Sequence, residues 1–281
     1  MNLTTEENLE VEDSYRLHRR FDRIGRLVGD DQMAHLLKAR VMVIGLGGVG
    51  SLAAEALSRS GIGQLWLVDF DKVCITNTNR QLQAMQGTIG KFKADVLAER
   101  LQKINPQSQV EAIRHFYNER TSAMLLERNP DYVVDCIDNI TAKCHLLDAC
   151  RQRGLKVICS TGASGRIDPT QVKVADLAET RVDPLASAVR KILRGKYAFP
   201  ARGKFDIPAV FCLGPAAEPP QLHYDEGKGF RCVCPGGKNE FHSCEDRSVI
   251  YGTAGFVTGT FGNFCASLVV RDIVSQRHQP A

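Results

Sequence analysis

The chain has 281 residues, a 43% hydrophobic share, a 24% charged share and a formal net charge of +4, all ordinary for a globular protein with a sizeable core. So mild a positive balance does not by itself argue for a nucleic-acid partner. The polar stretch Met1–Arg20 lacks the apolar segment of a signal peptide, so the ten cysteines read as reduced thiols of a cytoplasmic protein rather than a disulfide framework.

In chain order, residues 1–19 read as a flexible leader. Arg20-Phe21-Asp22-Arg23 follows, and Asp30–Lys38 is a short helix. Val41–Ile44 is too short for a helix of its own and reads as a buried strand. It runs into Gly45-Leu46-Gly47-Gly48-Val49-Gly50, then a helix over Ser51–Ser60, then a second buried strand, Leu65–Val68, ending on Asp69. Gly90–Lys103 is predicted helical and is stopped by Asn105-Pro106. Strands are expected at Gln109–Ile113, Tyr132–Asp135 and Lys156–Cys159, with a helix over Asn139–Arg153 closed by Gly154. Beyond Thr161 a strand is expected at Val172–Ala175 and a helix from Pro184, capped by Asp183. Pro215–Lys238 reads as a long loop. Alternation at these spacings gives an α/β, Rossmann-like fold: a mostly parallel, doubly wound sheet with a smaller C-terminal sheet and helix extension. The expected division is residues 20–165 for nucleotide binding and 166–281 for substrate and dimer contacts.

Strand, glycine turn, helix, strand and acid together form the dinucleotide-binding fingerprint in its required context. Gly45, Gly47, Gly48 and Gly50 let the backbone approach a phosphate, and Asp69 stands where a carboxylate accepts from ribose hydroxyls. A glycine turn serving only helix–strand packing is the plainer alternative. Two further groups favour a triphosphate over a nicotinamide. Asn77, Asn79, Arg80 and Gln81, with Lys93 downstream, supply amides and cations for a polyphosphate. Asp138, in Asp135-Cys136-Ile137-Asp138-Asn139, follows the fourth strand at the edge where open α/β sheets bind ligands, and suits Mg²⁺ beside phosphates. Taken singly, Lys93 is a solvated helix lysine and Asp138 a helix N-cap.

Gly45–Gly50, Asp69-Phe70-Asp71, Asn77-x-Asn79-Arg80-Gln81, Gly90-Lys91-x-Lys93 and Asp138-Asn139 together resemble the ATP-dependent adenylyltransferases of the ubiquitin-activating type. The resemblance implies ATP and Mg²⁺ as cofactors and activation of a carboxylate as its acyl-adenylate. It places Asp69 on the ribose, Arg80 and Lys93 on the phosphates and Asp138 on the magnesium, with Asp71 and Asn139 inside the matched nucleotide-binding stretches. Arg23 matches an arginine that reaches a partner's triphosphate site, which implies a homodimer. Val73–Gln81, Gly165–Gln171 and Asp183-Pro184-Leu185 are most similar to members that dehydrate and cyclise a threonylcarbamoyl-modified adenosine of tRNA. On that reading the basic residues Arg181, Arg190, Lys191, Arg194, Lys196, Arg202 and Lys204 contact the tRNA backbone; a solvated helix face is the alternative.

The competing reading is adenylation of the C-terminus of a sulfur-carrier or ubiquitin-like protein, with a sulfur-transfer partner. The paired Cys-x-x-Cys motifs of relatives of that kind are absent here. Cys232 and Cys234, with Cys244 and His242 nearby, are a weak candidate for structural zinc, because a one-residue gap strains chelation. Ser248–Val270 is 23 residues without charge, enough to span a bilayer, but its polar residues and four glycines favour a buried helix packed closely through small residues.

Overall fold

The computed structural model describes residues 19–220, 222 and 251–275. Its elements are α1 (Asp22–Val28), α2 (Asp30–Lys38), β1 (Arg40–Ile44), α3 (Gly50–Arg59), β2 (Gln64–Val68), α4 (Lys93–Ile104) and β3 (Gln109–Ile113). There follow α5 (Glu119–Leu126), β4 (Tyr132–Asp135), α6 (Ile140–Arg153), β5 (Lys156–Ser160), β6 (Val172–Asp176), α7 (Pro184–Lys196), β7 (Pro208–Cys212) and α8 (Gly255–Ser275). One seven-stranded sheet runs β3-β2-β1-β4-β5-β7-β6, parallel except where β6 meets β7.

β1 is apolar throughout its interior because both of its faces are covered. Val41 and Val43 pack on one side with Leu36, Leu57, Leu97 and Phe261 from α2, α3, α4 and α8. Met42 and Ile44 pack on the other with Leu125, Leu147 and Val189 from α5, α6 and α7. The Rossmann-like, mostly parallel arrangement is thus as expected. Among the described residues the strands of the C-terminal extension continue the same sheet rather than forming a separate one: β7 pairs with β5, and β6 with β7.

Other boundaries move for physical reasons. The helix expected from Gly90 begins at Lys93, because Gly90 has φ +86° and Phe92 is extended. Asp183 caps α7 as expected, accepting from the Ala186 N–H at 2.8 Å. The cap of α6 is Asn139, whose Oδ1 accepts from the Ala142 N–H at 3.0 Å, and not Asp138. α8 occupies much of the uncharged stretch and lies on α3. A Cβ at Gly262 would lie 2.6 Å from the Val49 carbonyl oxygen, so the close packing through small residues occurs within the chain. Among the described residues no helix is long and apolar enough to cross a membrane. Cys232, Cys234, His242 and Cys244 lie outside the described residues, as does most of the Pro215–Lys238 loop.

The described cysteines are free thiols. Burial pushes Cys144 up to about 11 and Cys150 up to about 12. An unfolded thiol ionises near ~8.5, so above that pH the unfolded chain sheds protons that the native chain keeps, and stability falls. Each thiol should remove about 1.4 kcal/mol per pH unit between ~8.5 and its native value. Urea midpoints measured under reducing conditions from pH 8 to 10.5 should therefore decline; a constant midpoint would contradict the burial of these thiols.

Candidate nucleotide site

The carboxyl ends of β1, β2 and β4 meet at one edge of the sheet, and the turns leaving them bring the candidate residues together. The glycine turn is held through Leu46 at both ends. Its N–H donates to Asp69 Oδ2 at 2.7 Å, and its carbonyl accepts from Gln83 Nε2 at 2.6 Å. Asp69 Oδ1 accepts from the Asp71 N–H at 2.8 Å, so one buried carboxylate joins the glycine turn to the turn after β2. Each carboxylate oxygen retains acceptor capacity for a further donor. Gly45 has φ +88°, and a Cβ there would stand 2.7 Å from the Cys136 carbonyl oxygen, so this residue serves the turn itself. Gly47 differs: a Cβ would meet no protein atom within 4 Å. That leaves open space above a backbone turn at the start of α3, the kind of place that can take a phosphate.

Gly47→Ala should therefore leave the urea midpoint within about 0.5 kcal/mol of the parent while weakening ATP binding measured by calorimetry at least about tenfold. Unchanged affinity would place the phosphates elsewhere. Gly45→Ala, in contrast, should destabilise the fold.

Lys93, the first residue of α4, is buried, and its Nζ lies 2.8 Å from Asp71 Oδ2. Burial alone would lower its pKa, but Asp69, Asp71 and, more weakly, Asp138 hold the ammonium above its usual range. Burial pushes the Asp69 carboxyl up, against the attraction of that same ammonium. Arg80 passes over the glycine turn, its Cγ 3.2 Å from where a Gly48 Cβ would sit. Its NH1 donates to Thr76 O and Asn79 Oδ1, both at 3.0 Å. Asp138 is exposed at the same edge. Among the described residues no three His, Cys, Asp or Glu side chains converge on a metal position. A single carboxylate beside bound phosphates nevertheless matches the way Mg²⁺ is commonly held.

Two expected ligands turn inward, and a third is engaged as a helix cap. Asn77 is buried and its Oδ1 accepts from the Cys74 N–H at 3.1 Å, closing the turn that carries Arg80. Gln81 is buried beside Gln83, and Asn139 is spent on the cap of α6. Arg23 is almost wholly exposed on α1, with Asp22 3.9 Å away. In the basic segment Arg190 is hydrogen-bonded to Thr180, and Arg194 stacks 5.0 Å from the Phe205 ring, while Arg181, Lys191, Arg202 and Lys204 are exposed.

The sequence reading missed the contribution of α8. Asn79 Nδ2 donates to the Thr253 carbonyl at 2.7 Å. A Cβ on Gly255 would lie 2.5 Å from Asn79 O, and Thr258 Oγ1 is 3.0 Å from the Gly48 Cβ position. The start of α8 therefore walls the cradle from a point some 200 residues along the chain, which no local signal announces. Gln83 and Lys143 were missed for the same reason. Lys143 is wholly buried, with Nζ 2.6 Å from Asp135 Oδ2 and 2.9 Å from Ser160 O, tying the ends of β4 and β5 beneath the site. A cavity of about 350 Å³ bounded by Leu37, Arg40, Gln64, Asn105 and Gln109 lies at the opposite edge, where β1, β2 and β3 begin. None of the candidate nucleotide-binding residues lines this cavity.

The chain is 42% identical to the tRNA threonylcarbamoyladenosine dehydratase of Haemophilus influenzae, over 92% of this chain and 95% of that relative. It is 35% identical to the enzyme of the same name from Escherichia coli, over 95% and 97%. A crystal structure of E. coli tRNA N6-threonylcarbamoyladenosine dehydratase in complex with ATP superposes with a TM-score of 0.80 at 34% identity, covering 94% of this chain and 97% of that one. Residues 21–280 match the ThiF family, and the chain belongs to it.

Proposed function

We propose that this chain is an ATP-dependent enzyme that dehydrates and cyclises N6-threonylcarbamoyladenosine in tRNA by adenylating its carboxylate. The observation that carries the reading is the open space over Gly47, with Arg80 over the neighbouring Gly48 and Lys93 paired to Asp71 beside the Asp69 carboxylate that holds the turn, in a chain similar along nearly its whole length to dehydratases of that substrate. A carboxylate is a poor electrophile because its charge is delocalised and oxide is a poor leaving group. Its oxygen attacks the α-phosphorus of ATP, the bond to the β-phosphate oxygen breaks, and pyrophosphate leaves. An internal nucleophile of the substrate then attacks the acyl carbon and gives up its proton as AMP departs with the former carboxylate oxygen. The net change is loss of water, with ATP converted to AMP and pyrophosphate.

The chain's residues act by holding charge. Asp69 fixes the glycine turn and has acceptor capacity left for ribose hydroxyls. Arg80 and Lys93 sit where negative charge grows on the phosphates, and preorganised cations there lower the barrier most. Asp138 would hold Mg²⁺ together with the phosphates, and the ion when bound would neutralise part of the pyrophosphate charge. The exposed cations Arg181, Lys191, Arg202 and Lys204 would meet the tRNA backbone. Exposed Arg23 would reach the triphosphate of a second copy in a homodimer. Residues 20–165 and 166–281 would divide the work, the first carrying most nucleotide contacts and the second the tRNA contacts.

The reading is tested by pyrophosphate release from ATP in the presence of tRNA with and without the threonylcarbamoyl group. Release is expected only with the modified tRNA, and should weaken steeply as salt is raised. Equal release with unmodified tRNA, or release provoked by a sulfur-carrier protein instead, would overturn it.

A further inference from the structure

The turn after β5, Thr161-Gly162-Ala163-Ser164-Gly165, is held from within by two charges that the nucleotide site does not use. Arg166 is 6% exposed and Asp183 is 3% exposed. The guanidinium grips the turn by its carbonyls: NH1 donates to Gly162 O at 2.8 Å and Ser164 O at 2.9 Å, and Nε donates to Gly214 O at 3.1 Å. The carboxylate grips the same turn by its donors: Oδ2 accepts from Thr161 Oγ1 at 2.9 Å and from the Gly162 N–H at 3.0 Å. Its other oxygen caps α7. Arg166 NH2 stands 3.6 Å from Asp183 Oδ2 as an ion pair and makes no hydrogen bond. Closing a five-residue turn does not require two buried charges, and a hydrophobic pair of similar volume avoids their desolvation. The arrangement therefore calls for a reason beyond packing.

The turn's neighbours supply one. Gly165 N–H donates to Gly252 O at 2.7 Å, and Thr253 Oγ1 lies 3.4 Å from Ser164 Oγ. The Thr253 carbonyl accepts from Asn79 Nδ2, and Asn79 Oδ1 accepts from the Arg80 guanidinium. A run of hydrogen bonds thus leads from the first turn of α7, which begins the basic segment, through the β5 turn and the approach to α8, to the cation over the glycine turn.

We propose that Arg166 and Asp183 are positioning residues that hold the β5 turn in register with Arg80, so that a tRNA seated on α7 presents its carboxylate to a correctly aimed guanidinium. The inference rests on the dehydratase reading above. Neither residue touches the nucleotide cradle, and Arg80 acts on charge that grows in the transition state, so ground-state ATP affinity should change little. Their effect falls on kcat and passes through Arg80.

The test is a double-mutant cycle on the full-length chain, reading tRNA-dependent pyrophosphate release and, separately, ATP binding by calorimetry without tRNA. Arg166→Lys keeps a cation that folds in place of the guanidinium but cannot cap three carbonyls. In the parent background it should lower kcat on the order of 10²-fold with the ATP dissociation constant unchanged within about twofold. In an Arg80→Ala background the same change should alter the residual kcat by less than about twofold, because the group it positions is already gone. Asp183→Asn, which keeps the cap of α7 and removes the charge, should behave in the same way and guards against loss of fold in the arginine variant. Equal losses in both backgrounds, a full-activity Arg166→Lys, or weakened ATP binding with kcat retained would each overturn the proposal. A parent enzyme inactive on modified tRNA would instead overturn the dehydratase reading, and this inference with it.

Discussion

Arg80→Ala is expected to lower tRNA-dependent pyrophosphate release by about 10²- to 10³-fold, the range seen when one preorganised charge-stabilising donor is removed. The urea midpoint should shift by no more than about 1 kcal/mol, because Arg80 is only half-buried and donates to groups at the surface. Lys93→Ala makes the informative contrast. Lys93 is buried between Asp69 and Asp71, so its loss leaves two carboxylates facing each other without a counter-charge. It should lose both activity and stability, whereas Arg80→Ala should lose activity alone. Steady-state kinetics and urea titration on the two variants separate these outcomes. An active Arg80→Ala enzyme would remove the guanidinium from the phosphate-stabilising role.

The second large effect is structural. Lys143→Ala should cost about 3–5 kcal/mol, a large part of a typical total of about 5–15 kcal/mol. The ammonium is wholly buried against Asp135, which is itself 0% exposed, and removing it strands a carboxylate with no water to solvate it. Burial pushes Asp135 up and would push Lys143 down, but the carboxylate 2.6 Å away keeps the ammonium charged well above its usual range. Replacing both members by apolar residues of similar volume, Asp135→Leu with Lys143→Met, should recover much of the loss, since the cost lies in the unpaired charge. Urea midpoints of the single and double variants decide it. A Lys143→Ala midpoint within about 1 kcal/mol of the parent would show that the site relaxes or admits water.

What could be read from the sequence was what local spacing determines. β1, the glycine turn, α3, β2 and Asp69 form one contiguous unit whose apolar runs and glycines carry their own signal, and Asp183-Pro184 announces α7 in the same way. β7 was missed because Pro208–Cys212 is short, opens on proline, and becomes a strand only by pairing with β5 and β6. The eight residues of α5 were too few to show a clear period. At the site, Arg80, Lys93 and Asp138 were singled out by residue type and by their position after strands. Asn77 was assigned to the ligand by residue type and by its place in the Asn77-x-Asn79-Arg80-Gln81 stretch, which does not show that its Oδ1 closes its own turn. The grip of Gln83 on Leu46, the Lys143–Asp135 pair and the wall supplied by Gly255 and Thr258 all arise where distant segments meet. Spacing along a chain holds no record of such meetings.

The nucleotide product of single-turnover reactions tests the central claim most directly. With ATP labelled at its α-phosphate and threonylcarbamoyl-modified tRNA, the account predicts AMP and pyrophosphate, formed in step with the cyclised product, and none of either from Arg80→Ala on the same timescale. Formation of ADP and inorganic phosphate instead would show that the bond broken lies between the β- and γ-phosphates, and adenylation would be the wrong chemistry for this site.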